Sequence, residues 1–97
     1  MTDKLNKIIN ESISDANAVN GKEFQITKDE TKILLGKKGY LDSLSYLNFM
    51  LAVEQKLSDT LNKNISFIEF EFKDIEDDPF YNLKNLKKFL EKIDKEK

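Results

Sequence analysis

Residues 39–55 read GYLDSLSYLNFMLAVEQ. Gly39 interrupts the chain, Asp42-Ser43 marks a boundary, and from Leu44 onward apolar residues recur at steps of three and four. That period is helical. Leu44, Leu47, Met50, Leu51, Val53, Leu57 and Leu61 form the stripe and Phe49 widens it, so the spacing predicts a helix from Ser43 to about Asn62. The apolar arc is broader than one core-facing side needs, so the helix is either central or has part of its surface facing a partner. Ser43 itself has two readings. It is a helix cap, or it is a hydroxyl presented to another enzyme.

On the N-terminal side of this helix, Leu5, Ile8, Ile9, Ile13 and Ala16 repeat at the same period and predict a helix over about residues 3–19. Thr2 can cap its start, and Asn20-Gly21 can end it in a left-handed conformation. Residues 21–42 form a long connection. Within it, Thr27 and Glu30 have the spacing of a capping box ahead of residues 31–35, with Gly36 as a stop, which predicts one short helical turn. A connection of this length in a small domain is uncommon and often functional.

On the C-terminal side, ISFIEFEF (65–72) is ambiguous. Ile68, Phe70 and Phe72 alternate with Glu69 and Glu71 as in a strand, but a lone strand has no partner. An irregular link that drops aromatic rings into the core is preferred. Residues 73–78 can form a short helical turn before Pro79. Leu83, Leu86, Phe89, Leu90 and Ile93 then predict a final helix with Asn82 as its cap, and the end, DKEK, is expected to fray.

Composition narrows the function. The chain of 97 residues suits one domain, residues 1–97. It has 3 glycines and 1 proline, too little turn punctuation for a many-stranded sheet. With neither cysteine nor histidine, it holds no disulfide, no thiolate nucleophile and no histidine base. A Ser-Lys pair with Lys37 or Lys38 is formally possible, but nothing in the sequence suggests a strained elbow or an oxyanion hole, so the chain is not expected to be an enzyme. Every basic residue is a lysine and the net charge is -2, which argues against a nucleic-acid partner. No apolar stretch is long enough for membrane insertion, and the amphipathic start does not resemble a secretory signal, so a cytoplasmic location is expected. Between Glu69 and Asp78 six acids face one lysine, Lys73. Such a run is a solvated face or a docking patch for a basic partner; it lacks the glycine and the alternating acids of a calcium-binding loop, and no metal site is expected.

The segment from Gly39 to Leu57 resembles the prosthetic-group attachment segment of the acyl carrier protein and peptidyl carrier protein family, which bind phosphopantetheine. The likeness rests on Asp42-Ser43-Leu44 after a long loop, on the apolar positions Leu47, Phe49, Met50 and Val53, and on Glu54 and Leu57. It extends over most of the chain through the flanking helices. It implies an all-α, four-helix bundle with three main helices, one short helix and a long first loop. Asp42 would cap the helix, and the resemblance further implies that Ser43 accepts 4'-phosphopantetheine from coenzyme A through a phosphopantetheinyl transferase, with Asp42 also helping to position the serine. The cofactor's thiol would then carry an acyl or aminoacyl thioester from a loading ligase to a downstream transferase. Leu44, Leu47, Asn48, Leu51 and Glu54 would meet these partners, and a monomer is expected. The Gly-x-Leu-Asp-Ser form is similar to free-standing carriers of specialised pathways, aminoacyl carriers among them. Two features depart from the common pattern. Ser45 and Asn48 stand where many fatty-acid carriers place acids, and residues 58–64 extend the second helix. The rival reading is an unmodified helical adaptor. The expected core is Leu5, Ile8, Ile9, Ile13, Phe49, Val53, Leu57, Leu83, Leu86 and Leu90.

Overall fold

The computed structural model describes residues 3–36, 39–69 and 72–95, with Ile68 described by its backbone alone. Helices α1 (Asp3–Val19), α2 (Ser43–Leu61) and α3 (Leu83–Lys95) carry the fold, and three single 3-10 turns lie between them at Lys22–Phe24, Phe67–Glu69 and Ile75–Asp77. The described residues contain no strand. The result is a small all-helical bundle. Between α2 and α3 the described residues form two 3-10 turns and no further α-helix.

The helical periods bury the side chains they predict. All ten expected core residues are buried. Ala16, Ile26, Leu34, Met50, Phe67, Phe80 and Ile93 join them. Phe80 stands at the centre of the aromatic packing. Its ring meets Phe67, Phe49 and Tyr46 edge-on at centroid distances of 4.8, 5.5 and 5.8 Å, the arrangement that the ring quadrupole favours.

The ends of the helices follow their local chemistry, not always as expected. Thr2 lies outside the described residues. At the other end of α1 no residue turns left-handed: Gly21 is extended with φ −65°. The Gln25 amide donates to the carbonyls of Asn17 and Asn20, both at 3.0 Å, so the orphan acceptors of the last turn are satisfied from the loop. The Thr27–Glu30 capping box does not form, and residues 31–35 are not helical. Asp29 takes over the turn, accepting from the N–H and hydroxyl of Thr31. Glu30 instead reaches α3, where its carbonyl accepts from the Lys84 N–H and its carboxylate pairs with Lys87 at 2.8 Å. The long connection is therefore irregular, and it is anchored by buried Ile26 and Leu34.

Further along, α2 ends as its length predicts, with Asn62 left-handed at φ 57° and its N–H on the Ser58 carbonyl. Phe67–Glu69 forms an irregular link that buries Phe67, so the strand alternative fails there. Phe70 and Glu71 lie outside the described residues. Asn82 caps α3 by accepting from the Asn85 N–H at 2.8 Å. The expected fraying does not reach Asp94 and Lys95, which remain helical; Asp94 pairs with Lys4 at 3.3 Å, tying the last turn of α3 to the first turn of α1. Glu96 and Lys97 are outside the described residues.

Candidate functional site at the start of helix α2

The site begins in the loop before α2. Gly36 takes φ 85°, and a β-carbon on Gly39 would lie 2.4–2.5 Å from the backbone of Leu34 and Leu35. Only glycine permits that close approach at residue 39. The loop is then pinned on both sides, by the Leu34 N–H on the Tyr81 carbonyl at 2.8 Å and by the Tyr40 hydroxyl on the Gln25 carbonyl at 2.7 Å. Lys37 and Lys38, the lysines of the possible Ser-Lys pair, lie outside the described residues.

Asp42 is the cap. Its carboxylate accepts from the Ser45 N–H at 2.8 Å, and its own carbonyl accepts the first intrahelical bond from Tyr46. The Ser45 hydroxyl and N–H both hold the Asp42 carboxyl below the usual carboxylate range. Ser45 is correspondingly buried. It does not stand on an outer face, although the resemblance places it where other carriers carry an acid. The sequence signal was present in Asp42-x-x-Ser45, the spacing of an N-cap and the residue whose N–H it takes.

Capping is thus assigned to Asp42, and Ser43 is left over. Ser43 is exposed as the first residue of α2, and its hydroxyl makes no hydrogen bond with any described residue. It lies beside the N–H groups of the first turn, at the positive end of the helix dipole. An anionic group attached to its oxygen would sit where those partial charges favour it.

The neighbouring residues divide into two kinds. Leu44, Leu47 and Leu51 are 66%, 37% and 50% exposed, so the broad apolar arc of α2 has a real outward side. Asn48 and Glu54 border that side and are already engaged. The Asn48 amide donates to the Asn20 side chain at 3.0 Å, tying α2 to the end of α1. The Glu54 carboxylate accepts from the Phe67 N–H at 2.8 Å, tying α2 to the link that follows it. A groove of about 590 Å³ opens beside this contact, lined by Leu51, Glu54, Gln55, Ser58, Asn64, Ile65, Ser66 and Glu69.

No family model matches the chain, and neither a curated protein nor a solved structure matches it. No helix among the described residues is long and apolar enough to cross a membrane.

Proposed function

We propose that this chain is an acyl or aminoacyl carrier protein whose Ser43 accepts 4'-phosphopantetheine. The observation that supports it is the division of labour at the start of α2. Asp42 does the capping, while the adjacent Ser43 hydroxyl is exposed and unbonded beside a row of exposed leucines. A serine kept only as a cap would be doing what Asp42 does.

The residues present fit the group. The Ser43 oxygen can attack the coenzyme A phosphorus that bears the pantetheine arm. A new O–P bond forms and the pyrophosphate linkage breaks. Adenosine 3',5'-bisphosphate leaves, and the hydroxyl proton passes to the transferase. The attached phosphodiester would be held by its charge at the α2 N-terminus. Once bound, the arm supplies the thiol that this cysteine-free chain lacks, and cargo rides on it as a thioester. The chain itself supplies position and surface, and catalysis belongs to its partners. In this reading the two 3-10 turns at Phe67–Glu69 and Ile75–Asp77 occupy the place of the short helix in a four-helix carrier bundle.

Incubation with coenzyme A and a broad-specificity phosphopantetheinyl transferase, followed by intact mass measurement, tests the proposal. The folded protein should gain one phosphopantetheine and Ser43→Ala should gain none. An unchanged mass would leave the adaptor reading; equal gain by both proteins would move the site elsewhere.

A further inference from the structure

Asn20-Gly21 is the one Asn-Gly pair in the chain, and every other asparagine precedes a residue with a side chain. Conformation does not call for glycine there. Gly21 has φ −65° and ψ 166°, extended backbone that any residue adopts. A β-carbon on it would meet Phe24 Cδ2 at 3.9 Å, an ordinary van der Waals distance. What glycine does provide is a backbone nitrogen with no side chain beside it. Gly21 is exposed, and its N–H forms no hydrogen bond with a described residue.

Asn20, by contrast, is held at all its polar groups. Its N–H donates to the Ala16 carbonyl at 2.9 Å, and its carbonyl accepts from the Gln25 amide at 3.0 Å. Its side-chain Nδ2 donates to the Phe24 carbonyl at 3.1 Å, and its Oδ1 accepts from Asn48 at 3.0 Å. These bonds finish α1 and tie its end to α2. The asparagines nearest in sequence lie differently. Asn10 and Asn17 are inside α1, where the N–H of the next residue is committed to the helix. The Asn17 side chain is also bound at both ends to the backbone of Ile26.

We propose that Asn20 is a deamidation site, and that its side-chain bonds to Phe24 and Asn48 set the rate. The only co-reactant is water. A solvent base takes the Gly21 amide proton, and the nitrogen attacks Asn20 Cγ. A new N–C bond forms, the Cγ–Nδ2 bond breaks, and ammonia leaves with a proton from water. Water then opens the five-membered imide at either carbonyl, giving aspartate or isoaspartate. For the attack, the side chain must turn away from Phe24 and Asn48 toward its own backbone, so the bonds that tie α1 to α2 must open first. The product cannot remake them all. A carboxylate has no N–H for the Phe24 carbonyl, so two acceptors would face each other. Isoaspartate also reroutes the backbone and displaces the carbonyl that Gln25 holds. Deamidation would therefore add one negative charge and loosen the α1–α2 junction permanently. None of this chemistry depends on the carrier function.

Incubation of the folded, full-length chain at mildly alkaline pH, followed by trypsin digestion, tests the proposal. Cleavage after Lys7 and Lys22 yields residues 8–22, which hold Asn10, Asn17 and Asn20 in one peptide and so include their own controls. Fragment-ion mass spectrometry should place the exchange of –NH2 for –OH at Asn20, well ahead of Asn10 and Asn17, with aspartate and isoaspartate both present. Gly21→Ala, which backbone and space both allow, should slow the reaction severalfold. Asn48→Ala removes one restraint and should speed it about fivefold, the factor that one such hydrogen bond is worth. Urea frees Asn20 in the unaltered sequence and should speed it further. Asn20→Asp, folded by circular dichroism, should melt below the wild type. An Asn20 that stays intact, or reacts no faster than Asn10 and Asn17, overturns the site. Equal rates in the wild type, in folded Asn48→Ala and in urea overturn control by the α1–α2 tie. A wild-type melting temperature for Asn20→Asp overturns the loosening.

Discussion

Asp42 and Ser43 are adjacent and polar, yet the fold gives them opposite tasks. Asp42 is bound to the helix through Ser45, while Ser43 is bound to nothing described. The difference is measurable without any partner. Ser43→Ala removes no hydrogen bond, so its stability should stay within about 0.5 kcal/mol of the wild type, as for ordinary surface changes. Asp42→Ala removes the cap and should lower the melting temperature clearly. The pH dependence has a definite sign. The folded Asp42 carboxyl titrates below its unfolded value because Ser45 donates to its charged form. The cap's contribution is therefore fully present above the ordinary aspartate pKa and is lost as pH falls through the lower, folded value. In the folded protein the Asp42 carboxyl carbon, followed by NMR, should titrate below an unstructured aspartate. Ser45→Ala should move that midpoint back up. A marked loss of stability in Ser43→Ala would instead make Ser43 the structural residue.

At the scale of elements, the three helices were legible because each rests on a long apolar period, and the residues that the periods predict as core are buried. Asn82 was legible for a similar reason, since a cap acts within one turn. The 21–42 connection was not. Thr27 and Glu30 have capping-box spacing, but the Glu30 carboxylate pairs with Lys87 and its carbonyl takes the Lys84 N–H on α3, contacts that no local pattern reveals. Glu54 carries a similar lesson. In the sequence it is the one acid between Ser43 and Leu57 and is assigned to partners; in the fold its carboxylate accepts from the Phe67 N–H, thirteen residues away. This bond latches the 62–69 link onto α2 and shapes the groove beside it. Glu54→Gln keeps an acceptor and should change little. Glu54→Ala strands a partly buried N–H and should cost about 1–3 kcal/mol. Hydrogen exchange locates the effect: the Phe67 amide should lose protection in the alanine variant while amides in the centre of α1 keep theirs relative to global stability. Equal loss everywhere would mean that the bond supports the whole fold and is no local latch.

For the molecule as a whole, three helices alone do not close the core. α3 needs a filler between itself and α2, and Phe67 and Phe80 from the link provide it. Phe80 follows an acidic run and a proline, so no period marks it as core, yet it is almost fully buried with Tyr46, Phe49 and Phe67 set edge-on around it. These four rings come from α2 and from the link, so one side chain couples the site-bearing helix to the segment that carries the acids. Truncating it removes a large apolar surface and leaves a cavity that flanking rings cannot fill without abandoning their own contacts. Phe80→Ala should therefore cost about 3–5 kcal/mol. Domains of this size hold only about 5–15 kcal/mol in total, so the variant should be near its unfolding threshold at room temperature. Phe80→Leu keeps most of the volume and should lose less, with a urea midpoint between those of the wild type and the alanine variant and an unchanged slope. Because Phe80 contacts Tyr46 near the start of α2, the proposed carrier function adds that the leucine variant should be modified more slowly at Ser43, even where it is fully folded. A midpoint for Phe80→Ala close to that of the wild type would show that α1, α2 and α3 pack independently of the link, and the coupling between core and site would then have to be given up.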